Sequence, residues 1–334
     1  MSAAGKFNSL TDVAGVTVGH YSNAKAASGV TVVICSEGAV AGVDVRGSAP
    51  GTRETDLLDP TNLVDQVQAV VLSGGSVYGL AASSGVVRWL SEKGLGFPLD
   101  ETHVAPIVPA AVLFDLGRGE TFFPPIDDTW GWAACEAASD ARIPLGNVGA
   151  GTGAVSGPIK GGVGSASWVL EAGITVAALI AVNSLGSIVN SETGALWEAR
   201  LELNGEFGDQ GKRKVRLPAG FEAPPVANTT IGVVATDAIL TKAQAQKVAQ
   251  MAQDGLARAV RPSHTMFDGD AIFCVATGKK QLPATPGFFA IPEAHAINEI
   301  GHAAANCVSR AIIHGVLQAE TLHPYKAFRD LETF

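Results

Sequence analysis

The sequence predicts an α+β fold in which helices are layered on sheets. Short runs rich in β-branched residues, at 16–18, 30–34 and 40–45, are separated by Gly and Ser and are typical of consecutive strands. Beyond residue 229 the pattern changes to strand, long amphipathic helix, strand and second long helix. Hydrophobic residues make up 47% of the chain and charged residues 16%, which is enough apolar material for a large core.

The remaining elements are predicted from the same periodicities. They are a strand at 68–72, a helix at 77–92 with Ser76 as its N-cap, a helix at 129–141, a hairpin of 168–171 and 174–182 that turns at Gly173, strands at 229–236 and 271–276, and helices at 240–260 and 293–317. Residues 191–227 are polar and contain a Pro-Pro pair, so we expect a mobile surface segment there. Its abrupt end marks a junction at Asn228.

The charge pattern argues against nucleic acid as the main partner. The 334 residues carry a formal net charge of −9, and the densest basic stretch is 212–216. The longest apolar run, 174–183, is too short to cross a bilayer, and the N-terminus lacks the apolar core of a signal peptide. Four cysteines without a CxxC pair are typical of free buried thiols in a reducing compartment. We therefore expect a cytoplasmic enzyme with neither a nucleic-acid nor a membrane partner.

The junction between Asn228 and Thr229 is the first candidate site. A proline-bearing linker runs straight into an apolar strand there, so the Thr229 hydroxyl is placed to attack the Asn228 carbonyl by an N→O acyl shift. Hydrolysis of the resulting ester leaves Thr229 with a free α-amine, whose pKa of roughly 7.7–8.0 lets it act as the base for its own hydroxyl. The same residues are also typical of an ordinary loop that enters a strand.

The second candidate is the turn Asp268-Gly269-Asp270, which places two carboxylates close together. Such a pair can hold a substrate ammonium by charge-assisted hydrogen bonds. With His264 it can also ligate a hard cation. A solvated turn, which Asp-Gly sequences favour, is the alternative without function.

Three further features have the chemistry of a hydrolase site. Asn183 follows the most apolar strand and can donate to an oxyanion. Lys160 stands alone in a glycine-rich loop, where it can polarise a carbonyl or lower the pKa of a neighbouring amine. The turn formed by Gly74, Gly75 and Ser76 lets the backbone approach a substrate, but it lacks the nucleotide-binding patterns.

Four segments, at 10–20, 72–80, 182–187 and 228–238, resemble in the same order the peptidase family of L-aminopeptidase/D-esterases. That family also holds β-aminopeptidases and the nylon-oligomer (6-aminohexanoate oligomer) hydrolase. The resemblance implies a four-layer α/β/β/α sandwich of the N-terminal-nucleophile-hydrolase type. It also implies a single composite domain, 1–334, that is cut into chains 1–228 and 229–334 and assembles as a homotetramer without a cofactor or metal.

The resemblance also implies residue roles. Thr229 matches the nucleophile, Asn183 the oxyanion-stabilising Asn, and Lys160 the active-site lysine of the nylon-oligomer branch. Asp268 and Asp270 match the polar pair beside the free amine. The Asn-Thr cut and the Asp-Gly-Asp turn depart from the Gly-Ser and Ser-Gly-Glu of the aminopeptidases and look like the nylon-oligomer branch.

Phe114 stands where a tyrosine is expected to assist, so it and the turn at 74–76 are candidate substrate-binding residues. The prediction is an autoprocessed N-terminal-threonine amidohydrolase or aminopeptidase. The alternatives are a hydrolase of ω-amino-acid (nylon-type) oligomers, an acyltransferase that uses the same acyl-threonine, and a metal-dependent hydrolase built on His264, Asp268 and Asp270. The acyl donor is left open by the sequence.

Overall fold

A computed structural model describes residues 3–218, 228–284 and 293–334. The strands are β1 (Thr17–Asn23), β2 (Ser28–Val45), β3 (Gly51–Arg53), β4 (Gln66–Ser73), β5 (Phe97–Pro98), β6 (Val104–Ala105), β7 (Ala110–Val112), β8 (Val155–Ser156), β9 (Ile159–Lys160), β10 (Gly162–Val169), β11 (Thr175–Val182), β12 (Ile231–Ala238) and β13 (Ala271–Lys280). The helices are α1 (Ala82–Glu92), α2 (Asp128–Glu136), α3 (Lys242–Ala259) and α4 (Ala294–Leu317). No helix in these ranges is long and apolar enough to cross a bilayer.

The main sheet runs in the order β10-β11-β12-β13-β2-β4-β7-β3, and β1 pairs with the first half of β2. Neighbours are antiparallel except for β12 with β13 and β4 with β7. The parallel pair β12 and β13 is joined through α3, because parallel neighbours need a crossover connection.

The long strand β2 divides this sheet into two layers. Along one edge of β2, residues 28–34 pair with β1 and residues 40–45 pair with β13. Along the other edge, residues 30–34 and 39–40 pair with β4, and the register shifts between Ile34 and Ala39. One continuous ladder therefore bends over on itself, so that the two halves of the sheet face each other.

Three apolar clusters separate four layers. On β11, Val176 and Ile180 pack in the cluster under α3 and α4, while Leu179 points into the cluster between the sheet halves. On β2, Val32 belongs to the third cluster, under α1 and α2, while Val33 faces the central cluster. Alternation along each strand thus fills two cores at once. The predicted α+β class and the α/β/β/α layering are both confirmed.

Several local predictions need correction. The strands predicted at 30–34 and 40–45 are parts of the single strand β2, because the bulge between them keeps the chain in the ladder. The helix predicted at 129–141 ends at Glu136. Ser76 is not an N-cap: it has a φ of 52°, and the 3₁₀ helix that precedes α1 is capped by Gly75.

The segment predicted to be mobile surface, 191–227, is described up to residue 218, and the rest of it lies outside the described residues. Leu196, Phe207 and Val215 are buried in the cluster under α3 and α4. This part of the segment is therefore anchored to the core. The sequence pattern did not mark these three apolar residues as buried, because they are widely spaced in a polar segment and follow neither a helical nor a strand period.

Candidate active site

Thr229 lies directly before β12 and is only 4% exposed. Its backbone nitrogen donates to the carbonyl oxygen of Asn183 at 2.5 Å, and the backbone nitrogen of Gly269 donates to its Oγ1 at 3.1 Å. Its Oγ1 also contacts the carbonyl oxygen of Asn228. The hydroxyl therefore lies against the carbonyl of the bond that the sequence predicts to break.

Strand register brings these neighbours to Thr229. The antiparallel pair β11 and β12 ends with Ala181 opposite Ile231, and two further residues on each strand lead to Asn183 and Thr229. The parallel pair β12 and β13 begins with Ile231 opposite residue 271, so the turn before β13 reaches the other side of Thr229. Two segments that are far apart in sequence thus meet at the predicted nucleophile.

Asp270 anchors the start of β12. Its Oδ1 accepts a hydrogen bond from the backbone nitrogen of Thr230 at 2.7 Å. Its Oδ2 accepts from the backbone nitrogen of His264 at 3.0 Å and lies 2.9 Å from the Nδ1 of the same residue. Because Thr230 follows Thr229 directly, Asp270 fixes the backbone that presents the nucleophile.

Asp268 is buried, and its carboxylate accepts hydrogen bonds that stabilise the same turn. Its Oδ2 accepts from the backbone nitrogen and the hydroxyl of Thr265, at 3.0 and 2.6 Å, and its Oδ1 lies 3.4 Å from the backbone nitrogen of Leu185. Burial, followed by the negative charge of Asp270, raises the pKa of Asp268, which hydrogen bonds from Thr265 and Leu185 oppose. Each carboxylate oxygen of the pair accepts a hydrogen bond from the protein.

The turn between the two carboxylates requires glycine. A Cβ on Gly269 would lie 3.0 Å from the Thr229 hydroxyl oxygen and 2.7 Å from the carbonyl oxygen of Ala49. A Cβ on Gly47, which packs behind the turn, would lie 2.2 Å from the backbone nitrogen of Asp270. Only the bare backbone can approach the nucleophile this closely.

The described parts of the chain contain no group of three or more His, Cys, Asp or Glu side chains that is arranged to hold a metal ion. His264, Asp268 and Asp270 therefore do not form the ligand set that the metal-dependent alternative requires. Asp270 pairs with Nδ1 of His264 and with the backbone of Thr230, whereas Asp268 accepts from Thr265, so the two carboxylates are engaged by different partners.

The side chain of Asn183 is held on both sides. Its Oδ1 accepts from the backbone nitrogen of Val155 at 3.0 Å and from Nη1 of Arg118 at 2.5 Å, and its Nδ2 donates to the carbonyl oxygen of Phe114 at 3.1 Å. Phe114 thus contributes a backbone oxygen where the family resemblance leads one to expect a tyrosine hydroxyl. The oxyanion role of Asn183 stays a prediction.

Lys160 lies in the short strand β9 and not in a loop, because residues 159–160 pair with residues 155–156. It is fully buried and donates from Nζ to the carbonyl oxygens of Gly151 and Gly161, at 2.9 and 2.8 Å. Burial, and then the positive charge of Arg118, hold its pKa well below the ordinary value, against the opposing charge of Asp115.

Asp115 and Arg118 were missed by the sequence predictions. Asp115 is buried, and its Oδ1 accepts from the backbone nitrogen of Gly75 at 2.6 Å. Burial raises the pKa of Asp115 to about 6, although hydrogen bonds from Gly75 and Ser28 and the charge of Arg118 oppose the shift. Asp115 comes shortly after β7, so the signal that marked Asn183, a polar side chain beyond an apolar strand, was present here as well.

The turn formed by Gly74, Gly75 and Ser76 lies against Asp115. A Cβ on Gly74 would come within 2.1 Å of the Asp115 carboxylate, so the glycine is needed for this approach. The turn therefore supports the buried Asp115 carboxylate next to Phe114, and its predicted role in substrate binding stays a prediction.

The family model described as Peptidase family S58 matches residues 8–328. An uncharacterized aminopeptidase of Mycobacterium leprae is 47% identical over 96% of this chain and 92% of its own length. One of Mycobacterium bovis is 45% identical over 97% and 98%. A 6-aminohexanoate-oligomer endohydrolase of a Kocuria species is 30% identical over 83% of this chain and 77% of its own.

Two solved structures share the fold. A β-aminopeptidase of a Burkholderia species superposes with a TM-score of 0.71 at 23% identity, covering 96% of this chain and 89% of its own. The L-aminopeptidase D-Ala-esterase/amidase from Ochrobactrum anthropi gives 0.71 at 21% identity over 98% and 91%, and is described as a new variant of the Ntn hydrolase fold. The four-layer architecture derived above is therefore that of Ntn hydrolases.

Proposed function

Because the chain belongs to peptidase family S58, and is therefore a hydrolase of the peptidase and amidohydrolase class, we propose that it cuts itself between Asn228 and Thr229 and then uses Thr229 as an N-terminal nucleophile. The observation that carries the proposal is the contact of the Thr229 hydroxyl with the carbonyl of Asn228, combined with the hydrogen bond from Gly269 to that hydroxyl.

Self-cleavage begins when Oγ1 of Thr229 attacks the carbonyl carbon of Asn228. The C–N bond breaks, the nitrogen of Thr229 takes up a proton, and an ester joins Asn228 to the threonine side chain. Water hydrolyses this ester and leaves a carboxylate on Asn228. The backbone nitrogen of Gly269 supports the oxygen as it becomes the nucleophile.

In turnover, the new α-amine takes the proton from its own hydroxyl, and Oγ1 attacks the amide or ester carbonyl of the substrate. The leaving group departs with a proton, and water releases the acyl group from Thr229. The carbonyl oxygen of Asn183, which accepts from the nitrogen of Thr229 at 2.5 Å, holds the amine in place. The Asn183 side chain stabilises the oxyanion, and Lys160, whose pKa burial holds well below its ordinary value, accepts and returns protons.

Aminopeptidase action on peptides or small amides is the substrate class we favour, because the mycobacterial relatives at 45–47% identity carry that name. Hydrolysis of ω-amino-acid oligomers is the second candidate, because the Kocuria relative at 30% identity acts on 6-aminohexanoate oligomers. A panel of aminoacyl anilides and 6-aminohexanoate oligomers separates the two. Adding a free amine tests the transferase alternative, since diverted acyl product would reveal acyl transfer.

Intact mass spectrometry tests the cut. The wild-type protein is expected as two chains of about 23 and 11 kDa, which is 34.1 kDa divided in proportion to residue number. Thr229→Ala is expected to remain one chain and to be inactive, whereas Thr229→Ser, which keeps a hydroxyl, is expected to be cut.

Thr230→Ala is the matched control, because Thr230 is also a buried threonine and its backbone nitrogen keeps the bond to Asp270. It is expected to be cut like the wild type. A wild-type protein that stays intact and still hydrolyses amides would refute the proposal.

We propose also that the two-chain units associate as a homotetramer and work in the cytoplasm. Tyr78, Phe122 and Phe123 form an aromatic cluster that is more than half exposed, which supports a contact between copies. The four cysteines are free and buried, which suits a reducing compartment. Native mass spectrometry measures the assembly, and a monomeric two-chain unit would contradict it.

A further inference from the structure

Arg118 supplies the one charged hydrogen bond among the three that are described for the Asn183 amide. The oxygen and nitrogen of an amide differ little in size, so only hydrogen-bond partners decide which way it points. At Asn183 the partners are unequivocal: Val155 donates a backbone N–H and Arg118 a guanidinium N–H to the same oxygen, and neither group can accept. A flipped amide would place its own hydrogens against both donors.

We propose that Arg118 is the positioning residue of this site, which fixes the amide of Asn183 for the reaction, and that Tyr325 holds Arg118 in place. This inference rests on the proposed roles of Thr229 and Asn183. Neither residue belongs to a motif that the sequence analysis identified. Arg118 comes from an irregular loop after β7, and Tyr325 comes from the segment that follows α4.

Arg118 is anchored by more than its bond to Asn183. Its Nη1 also donates to the carbonyl oxygen of Gly153 at 2.7 Å. A charged donor makes stronger hydrogen bonds than a neutral one, and the planar guanidinium can serve two acceptors in a fixed geometry. Burial lowers the pKa of Arg118, and the negative charge of Asp115, from the same loop, opposes that shift.

Tyr325 meets the guanidinium from the other side. The guanidinium carbon of Arg118 lies 5.9 Å from the centre of the Tyr325 ring, and the two side chains also share a hydrogen bond. The backbone holds this segment against the site as well, because the nitrogen of Lys160 donates to the carbonyl oxygen of Lys326 at 2.9 Å. Cleavage at residue 228 would leave Arg118 and Tyr325 on different chains, so this contact joins the two products.

Two conservative variants test the inference. Arg118→Lys keeps the charge but loses the planar Nη1 group that donates to both Asn183 and Gly153. We expect kcat to fall about 10²-fold with KM changed less than about threefold, because the amide oxygen of Asn183 loses its charged donor and the binding surface does not change. Tyr325→Phe removes only the hydroxyl, and we expect kcat to fall about threefold to tenfold, in line with the loss of one hydrogen bond. The substrate is the aminoacyl anilide that the wild-type protein cleaves fastest.

Arg213→Lys is the matched control. Arg213 also has its guanidinium carbon 5.9 Å from an aromatic ring, that of Phe328, and donates to the carbonyl oxygens of Phe328, Arg329 and Leu331. It anchors the same C-terminal segment without contacting Asn183. We expect its variant to lose stability and to keep kcat, which separates positioning from general loosening.

Self-cleavage provides a second readout that needs no substrate. The fraction of intact chain is followed over time during cell-free synthesis, and Arg118→Lys is expected to slow its decay at least tenfold relative to Arg213→Lys. If Arg118→Lys and Tyr325→Phe match the control in both self-cleavage and kcat, the inference is overturned. A wild-type chain that is never cut would instead refute the proposed function.

Discussion

On α4, Arg310 is fully buried and its Nε and Nη2 donate to the carboxylate of Glu206 at 2.6 and 2.7 Å, while the Nε2 of His314 lies 2.8 Å from the same group. In the active site, Lys160 is equally buried, but its Nζ donates to two backbone carbonyl oxygens, and the charges of Arg118 and Asp115 shift its pKa in opposite directions.

The two clusters move the pKa values of their carboxyl groups in opposite directions. Burial raises the pKa of Glu206, but hydrogen bonds from His314 and Arg310 outweigh it and bring it to about 2. Burial dominates at Asp115, whose pKa rises to about 6, and it lowers the pKa of Lys160. Where basic side chains hydrogen-bond the carboxylate directly, as Arg310 and His314 do at Glu206, the cluster serves stability. Where burial dominates instead, the pKa values of the groups move toward each other, as is common at catalytic sites.

The largest expected effect separates two buried lysines. Lys160→Met is expected to lower kcat/KM by about 10²–10⁴-fold, the usual contribution of an acid–base group. Lys242 is the matched control: it is also buried, and its Nζ donates to the carbonyl oxygens of Leu57, Asn62 and Val64. Each variant leaves buried carbonyl oxygens without a donor, which is expected to cost about 1–3 kcal/mol of unfolding free energy per carbonyl group.

Steady-state kinetics on an aminoacyl anilide and urea unfolding measure both lysine variants. Lys242→Met is expected to lose stability and to keep kcat/KM. Equal activity in the two variants would remove Lys160 from the mechanism.

The next effect concerns the cluster around Glu206. Arg310→Met leaves the charge of Glu206 buried and is expected to cost about 3–5 kcal/mol of unfolding free energy. The folded fraction should keep its kcat. The exposed pair of Arg88 and Asp128, with side chains 51% and 39% exposed, is the comparison. Arg88→Met is expected to cost less than about 1 kcal/mol in the same urea titration, and equal costs would contradict the contrast.

The smallest effect is a pair of opposite pH dependences. The pKa of Glu206 is about 2 in the folded protein against 4.5 ordinarily, so its stabilising contribution is present above pH 4.5 and is lost as the pH falls toward 2. The pKa of Asp115 is raised from 3.8 to about 6, so the folded state binds more protons in that window and stability falls as the pH rises through it.

Urea unfolding between pH 3 and 7 of the wild type, Glu206→Gln and Asp115→Asn measures both slopes. Each variant is expected to lose only the slope of its own carboxyl group. If the unfolding free energy changed with pH in the same direction for both carboxyl groups, the two clusters would not shift their pKa values in opposite directions.

Local patterns were sufficient for the elements with a clear period. The helices α3 and α4 and the strand β11 begin and end within a few residues of their predictions, and the hairpin turns at Gly173, which has a φ of 77°. The first strand of the hairpin was placed wrongly at 168–171, because β10 begins at Gly162 in a glycine-rich stretch that has no strand period. Burial on both faces made β11 a continuous apolar run, so its strand character and its polar exit at Asn183 were readable.

The prediction failed where a residue's environment comes from distant chain segments. Phe207 lies in a polar stretch and is buried only because α4 and its neighbours cover it. Asp115 and Arg118 lie in an irregular loop, where no period marks which side chains point inward. Their burial, and with it the raised pKa of Asp115, depends on contacts such as those with Gly75 and Gly153.

The sequence by itself determined the junction at Asn228 and Thr229, the acidic turn at 268–270, and the strands that carry them, because backbone preference and side-chain alternation are local properties. Only the tertiary structure decided that Arg118 and Tyr325 meet at Asn183. That meeting depends on how a loop and a C-terminal segment pack across a folded sheet, and no spacing along the chain encodes such a distance.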